Sequence, residues 1–148
     1  MSLIFLSGNL FESNAQTIGH GCNTKGIMGA GIAREFKRRY PYMFEEYRYR
    51  CRSNIFRPGG YYLYKDSDPW ILNFATQADR GGATMEYVEK CFIDFVSYYR
   101  EEGITSLAIP RIAAGLGGLE WEEVKWLLSD ILDDIDIPVY VYEKYVLT

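Results

Sequence analysis

The residues best equipped for chemistry are gathered in one stretch, where His20, Cys22 and Asn23 precede the glycine-rich run Gly26-Ile27-Met28-Gly29-Ala30-Gly31-Ile32-Ala33. His20 is the only histidine, and an imidazole titrating near neutrality can act as general base or acid if it faces a cleft. Cys22 lies two residues on, so on a strand the two share a face, but their Cβ atoms would stand roughly 6–7 Å apart. That spacing is too long for a direct nucleophile–base bond, and Cys22 is read as a core residue. Asn23 offers two donors and an acceptor, a set that suits the vicinal hydroxyls of a ribose. It equally suits an asparagine that closes a turn, and both readings stand at this point.

Glycines let a backbone come close to a ligand, and unpaired N–H groups at a helix start attract phosphate. A second turn of this kind, Ala113-Ala114-Gly115-Leu116-Gly117-Gly118-Leu119, also lies between a predicted strand and a predicted helix. Two such turns on one small chain point to a ligand with more than one phosphate. Generic nucleotide motifs fit less well. Gly29-Ala30-Gly31 begins like GxGxxG, but Arg34 occupies the third glycine position and the turn follows the second strand. No acidic residue stands about 20 residues further on, where a ribose-binding carboxylate is expected, and the chain has no GxxxxGK[ST] loop.

The surrounding elements alternate. Leu3–Ser7 and Gln16–Cys22 read as strands, Ala30–Arg39 as a helix closed before Pro41, and Tyr42–Arg50 as a second helix. Tyr61–Lys65 and Trp70–Ala75 read as a hairpin turning at Asp66-Ser67-Asp68-Pro69. Met85–Glu102 carries Val88, Phe92, Phe95 and Tyr99 at helical spacing, between a capping Thr84 and a terminating Gly103. Ser106–Ile109 is a buried strand, Trp121, Val124, Leu128 and Ile131 mark a helix, and Val139–Tyr142 is the last strand. This order predicts an α/β fold in three layers, α/β/α, around a mixed, mainly parallel sheet. Ligands of such sheets bind at the carboxyl ends of the strands, the edge where both glycine turns fall.

Bulk properties narrow the function. A chain of 148 residues with 48% hydrophobic residues predicts a single folded domain over 1–148. No apolar run is long enough to cross a bilayer and no secretory leader is read, so no membrane partner is expected. Cys22, Cys51 and Cys91 are odd in number and contain no CxxC pair, which predicts reduced thiols in a cytoplasmic protein and no metal site. The net charge of −4 disfavours general nucleic-acid binding. From Arg34 to Arg57, however, eight basic residues stand against three acidic ones, a local charge of +5 that leaves −9 for the rest. That stretch is either a solvated helical face or an anion-steering patch beside the first glycine turn.

The pattern His-x-Cys-Asn-x-x-Gly-x-Met-Gly-x-Gly-Ile-Ala beginning at His20 resembles the macro domain family. Gly8-Asn9 precedes it, and Pro110-Arg111-Ile112-x-x-Gly-Leu-x-x-Leu-x-Trp follows. The similarity runs in order from about Leu3 to Tyr142. It is greatest to the branch of terminal ADP-ribose glycohydrolases, while ADP-ribose-1″-phosphate phosphatases share the His20-x-Cys22-Asn23 feature. Carried over, the resemblance places Gly8 and Asn9 at the adenine end, with the Asn9 amide oxygen replacing the family's usual carboxylate as acceptor. It places Asn23 on the distal ribose, Gly29, Ala30, Gly31 and Ile32 in the first phosphate loop, and Gly115, Leu116, Gly117, Gly118 and Leu119 in the second. Tyr142 could stack on adenine or serve as a core or edge tyrosine.

One departure bears on catalysis. The glycohydrolases of this branch use a lysine after a strand threonine and, in some members, an aspartate in the second glycine loop. Here Gln77 follows Thr76 and Gly117 occupies the aspartate position. Glutamine can form no Schiff base and glycine has no side chain. The remaining catalytic candidates are His20, Asn23 and Asp79, the last in the polar Gln77–Ala83 segment. Substrate-assisted hydrolysis, in which a ligand phosphate activates water, would need no strong protein base. With no long coiled-coil pattern a monomer is expected, and no cofactor. The resemblance implies a protein that binds ADP-ribose or an ADP-ribosylated macromolecule. It would hydrolyse an ADP-ribosyl linkage or ADP-ribose 1″-phosphate, or else act as a non-catalytic reader.

Overall fold

The computed structural model describes residues 3–78 and 80–145, for Tyr145 the backbone alone. Strands β1 (Leu3–Gly8) and β2 (Thr17–Cys22) flank a single 3-10 turn at Leu10–Glu12, which sequence periodicity is too coarse to find. Helices α1 (Gly31–Arg39) and α2 (Pro41–Arg52) follow. Pro41 divides them: it cannot extend α1, yet its fixed φ suits the first position of α2. Hairpin strands β3 (Tyr61–Tyr64) and β4 (Trp70–Ala75) lead to α3 (Met85–Glu102), β5 (Leu107–Pro110), α4 (Trp121–Ile131) and β6 (Val139–Tyr145). The α3 ends are set locally. The Thr84 hydroxyl accepts from Tyr87 N at 3.1 Å, and Gly103 takes the left-handed conformation (φ 90°) that closes the helix.

The strand order is β1-β6-β5-β2-β4-β3. All neighbours run parallel except β3, which pairs antiparallel with β4. Both faces are covered, and alternation along each strand assigns side chains to one core or the other. Leu72, Phe74, Leu107, Ile109, Val139 and Val141 pack under α3 and α4, where Phe74 stacks on Phe92 with centroids 4.3 Å apart. Ile18, Cys22, Ile71, Ala75 and Ala108 pack under α1 and α2, around Phe36, Met43 and Tyr47. The three-layer, mainly parallel arrangement is the one the sequence implies. Truncating a buried ring such as Phe74 to alanine would cost about 3–5 kcal/mol.

Topology opens the sheet at one place. After β2 the chain crosses over one face through α1 and α2 toward β4; after β5 it crosses the other face through α4 to β6. The loops leaving β2 and β5 therefore part in opposite directions, which makes a crevice at the carboxyl edge. Registered pairing between β2 and β5 covers only Thr17↔Leu107 and Ile18↔Ala108. Between β2 and β4 it runs the full length of β2. Space thus appears between the ends of β2 and β5.

Candidate ligand-binding cleft

A cleft of about 670 Å³ occupies that crevice, a size suited to a small-molecule ligand. Its walls come from the end of β2, the turn before α1, the residues after β4, the turn after β5 and the end of β6. Gly29, Ala30, Gly31 and Ile32 line it from one side, and Gly115, Leu116 and Gly117 from the other. The N-cap of α1 is Ala30, which has no capping side chain. Among the described residues, the N–H groups of Gly31, Ile32 and Ala33 find no acceptor, nor do those of Gly115, Leu116 and Gly117. Two sets of free donors on facing turns form a ready anion cradle.

Tight backbone contacts fix the turns. Gly31 has φ +60°, a conformation glycine adopts freely, and a Cβ there would stand 3.4 Å from Leu116 Cδ1, so the two turns meet across the cleft. Gly117 lies against Ala113, where a Cβ would come within 2.6 Å of the Ala113 carbonyl oxygen. Ala113 itself has φ 65°, a strained conformation for alanine. Its carbonyl accepts from Leu119 N at 3.0 Å, and the Gly117 carbonyl accepts from Ala83 N at 3.0 Å. The second bond ties the segment after β4 to the turn after β5.

Asn23 lines the cleft with its side chain already engaged. Its Oδ1 accepts from Lys25 N at 3.0 Å and from the Tyr47 hydroxyl at 2.7 Å, while Nδ2 donates to Ile27 O at 3.0 Å. The acceptor capacity that would meet a ribose hydroxyl is used in closing the turn; one Nδ2 hydrogen remains. Tyr47, which the sequence reading missed, is the anchor. From the buried face of α2 its hydroxyl reaches Asn23 O (2.9 Å) as well as Oδ1, and burial raises its pKa. Nothing in the sequence pattern separates it from the other tyrosines of α2.

His20 does not face the cleft. It is fully buried beneath α1, with its ring stacked on Phe36 at 3.9 Å and 7°. Its Nε2 lies 2.8 Å from Asn73 Oδ1, and Asn73 Nδ2 donates to Tyr62 O, so the amide presents its oxygen and Nε2 is the donor. Desolvation by burial lowers the His20 pKa to about 4, against the opposing effect of the Asn73 bond. The ring is neutral at pH 7 and out of reach of a ligand, which removes it as a catalytic acid or base. Cys22 Sγ stands 3.4 Å from His20 Nε2, a side-chain approach that the Cβ spacing along the strand does not reveal. Burial pushes the Cys22 thiol pKa up, so this contact joins two neutral groups and activates neither.

Other expectations shift as well. Asn9 is buried and its Oδ1 caps the 3-10 turn through Phe11 N at 2.9 Å. Neither Gly8 nor Asn9 is part of the cleft lining. Gly8 instead lies beneath the Tyr142 ring, whose Cε1 is 3.5 Å from where a Cβ would sit, and Tyr142 does line the cleft. Gly118 and Leu119 close the second turn behind the lining. Asp79 lies outside the described residues. The lining also takes in Thr76, Gln77, Arg111 and Glu143. Of these, Arg111 and Glu143 were given no role by the sequence reading, although Arg111 lies within the recognised pattern and Glu143 directly follows Tyr142. Glu143 is held below its usual pKa, first by the bond from Trp121 Nε1 and then by that from Lys125, so it is a poor proton acceptor. Among the described residues no group of three or more potential ligands could hold a metal ion.

A family model for the macro domain matches residues 20–128. The chain is 36% identical over 148 aligned residues to DNA ADP-ribosyl glycohydrolase from Thermus aquaticus, covering 95% of this chain and 41% of that protein. It is 28% identical to the ADP-ribose 1″-phosphate phosphatase of Candida albicans, covering 93% and 97%. Among solved structures, Thermosipho africanus DarTG in complex with ADP-ribose matches with a TM-score of 0.90 at 31% identity, covering 99% of this chain and 42% of that one. The chain thus spans about two fifths of the length of the DNA ADP-ribosyl glycohydrolases it matches.

Proposed function

This chain belongs to the macro domain family, and from that premise we propose that its cleft binds ADP-ribose and releases it by hydrolysis from a carrier. One observation carries the reading: two facing turns present unpaired N–H groups across a cleft of about 670 Å³. A diphosphate between two riboses is the ligand class that fits two anion cradles in one crevice. The remaining Asn23 Nδ2 hydrogen serves the distal ribose beside the first turn, and the Tyr142 ring serves the adenine end. The names of the relatives support hydrolysis, of an ADP-ribosyl group on DNA in one case and of a terminal phosphate in the other.

The machinery for the chemical step is sparse. Gln77 replaces the lysine of the glycohydrolase branch, His20 is walled off, and Arg111 is a permanent cation. Water activated by the ligand's own phosphate, with developing charge held by the two turns, is the route this cleft accommodates. It needs positioning more than a protein base. We place the protein in the cytoplasm, on the odd number and wide spacing of its three cysteines, and take it as a monomer because its sequence carries no long coiled-coil pattern.

A second reading, a non-catalytic ADP-ribose reader, is favoured by Gln77 and by the absence of room for a side chain at 117. Turnover separates the two. Release of ADP-ribose from ADP-ribosylated DNA or protein, or of phosphate from ADP-ribose 1″-phosphate, is expected for the hydrolase. Tight ADP-ribose binding with no turnover on any of the three would select the reader.

A further inference from the structure

Beside the cleft lies a groove of about 770 Å³ between α1 and α2. Met28 and Gly29 line both depressions, so the groove opens directly off the first turn. That is the end of the cleft where Asn23 sits, and the end from which a carrier attached to the distal ribose would leave. Phe44 contributes to the groove, and Arg34, Lys37 and Arg38 stand along it.

The charges there are unevenly satisfied. Arg38 is paired with Glu35 at 2.8 Å, and the acidic member of the lining, Glu45, is paired with Arg48 at 2.8 Å. Arg34 and Lys37 are exposed, and neither meets a carboxylate among the described residues. Lys37 Nζ instead lies 4.5 Å from the Phe44 ring centroid. Beside these cations Tyr42 leaves 81% of its surface in solvent, an unusual exposure for so large a ring. Cations interleaved with an open aromatic face match the chemistry of an unpaired nucleic-acid strand, with phosphates on the cations and a base stacked on the ring. A duplex keeps its bases stacked internally and could not use Tyr42 in this way.

We propose that the α1/α2 groove seats a single-stranded nucleic-acid carrier whose ADP-ribosyl group occupies the cleft. The proposal rests on the ADP-ribose reading above and names the carrier class for that same site. It is compatible with a net charge of −4, because the groove adds only a few contacts to a ligand already held in the cleft; effective concentration does the rest.

The test compares free ADP-ribose, an ADP-ribosylated single-stranded oligonucleotide and an ADP-ribosylated acidic peptide as competitors of a fluorescent ADP-ribose analogue. The oligonucleotide conjugate is expected to bind at least tenfold more tightly than free ADP-ribose. With two phosphates neutralised, that advantage should shrink about sevenfold between about 50 and about 200 mM salt. Arg34→Ala combined with Lys37→Ala should abolish the advantage, and Tyr42→Ala should reduce it for the oligonucleotide only, while both variants keep full affinity for free ADP-ribose. An unchanged advantage in the double variant, or no advantage in the native protein, overturns the groove. An equal advantage for the acidic peptide overturns the nucleic-acid assignment. Failure of free ADP-ribose to bind would instead defeat the underlying reading, so the two failures are distinguishable.

Discussion

Between β2 and α1 the backbone is held by side chains, with Tyr47 reaching in from α2 to Asn23, and Asn23 in turn bonding Lys25 N and Ile27 O. Between β5 and α4 the turn is held by its own main chain, through Leu119 N to Ala113 O and Ala83 N to Gly117 O, with Gly117 pressed against Ala113. Both present free N–H groups to the same cleft. The first can be loosened by degrees through its anchoring side chains. The second has no room for a side chain at its centre and yields only by rearranging. The floors differ too: β2 lays buried His20 beneath the first turn, whereas β5 lays Leu107 and Ile109 beneath the second.

The most severe break in this contrast is Gly117→Asp, which would restore the carboxylate found in some glycohydrolases of the branch. A Cβ at 117 would collide with Ala113 backbone atoms at 2.6–3.0 Å. Displacing them should cost about 3 kcal/mol, on the order of 100-fold in ADP-ribose affinity by calorimetry, with no gain in turnover.

Acid sensitivity should arise beneath the first turn. Unfolded, His20 takes a proton near its ordinary 6.5; folded, it does so only near 4. Below about 6.5 the unfolded chain therefore binds a proton that the folded chain refuses, and stability falls as the pH falls toward 4. From pH 7 to pH 5 the loss from this one group should be about 2 kcal/mol. Denaturant midpoints at the two pH values, compared with those of His20→Gln, measure it: the variant should lose that part of the slope. Its turnover per folded molecule should match that of the native protein, and a large drop would return His20 to the catalytic machinery.

Loosening the first turn should have a graded effect. Tyr47→Phe removes a hydroxyl that bonds Asn23, and Asn23→Ala removes the other partner; each should weaken ADP-ribose binding by about 1–1.5 kcal/mol. If they act through one contact network, the double variant should fall well short of the sum. Full additivity would show that Asn23 serves the ligand independently of its anchor. The smallest effect belongs to the bridge between the turns. Leu116, exposed and in contact range of Gly31, should cost about 0.5 kcal/mol or less on truncation to alanine.

Much of the scaffold was legible because its signals are local. Thr84 and Gly103 bound α3, Pro41 divides α1 from α2, and the Asp66-Ser67-Asp68-Pro69 turn marks the hairpin of β3 and β4. The two glycine turns that line the cleft were legible for the same reason, since glycine clusters after strands state their own conformational need. What sequence withheld depends on contacts between distant segments. The orientation of His20 is decided by Phe36 and by Asn73, which lies 53 residues away. The use of Asn23 is decided by Tyr47, 24 residues away. Asn9 was assigned to an adenine contact, but its oxygen is taken by a 3-10 turn of three residues, too short to leave a periodic pattern.

The central claim is that the two turns together hold one diphosphate ligand. Calorimetric titration of the protein with ADP-ribose, beside AMP and ribose 5-phosphate, tests it most directly. Saturable one-to-one binding of ADP-ribose, at least about 100-fold tighter than either half, is the expected result. No heat of binding at millimolar ADP-ribose, or an AMP affinity equal to that of ADP-ribose, would contradict it.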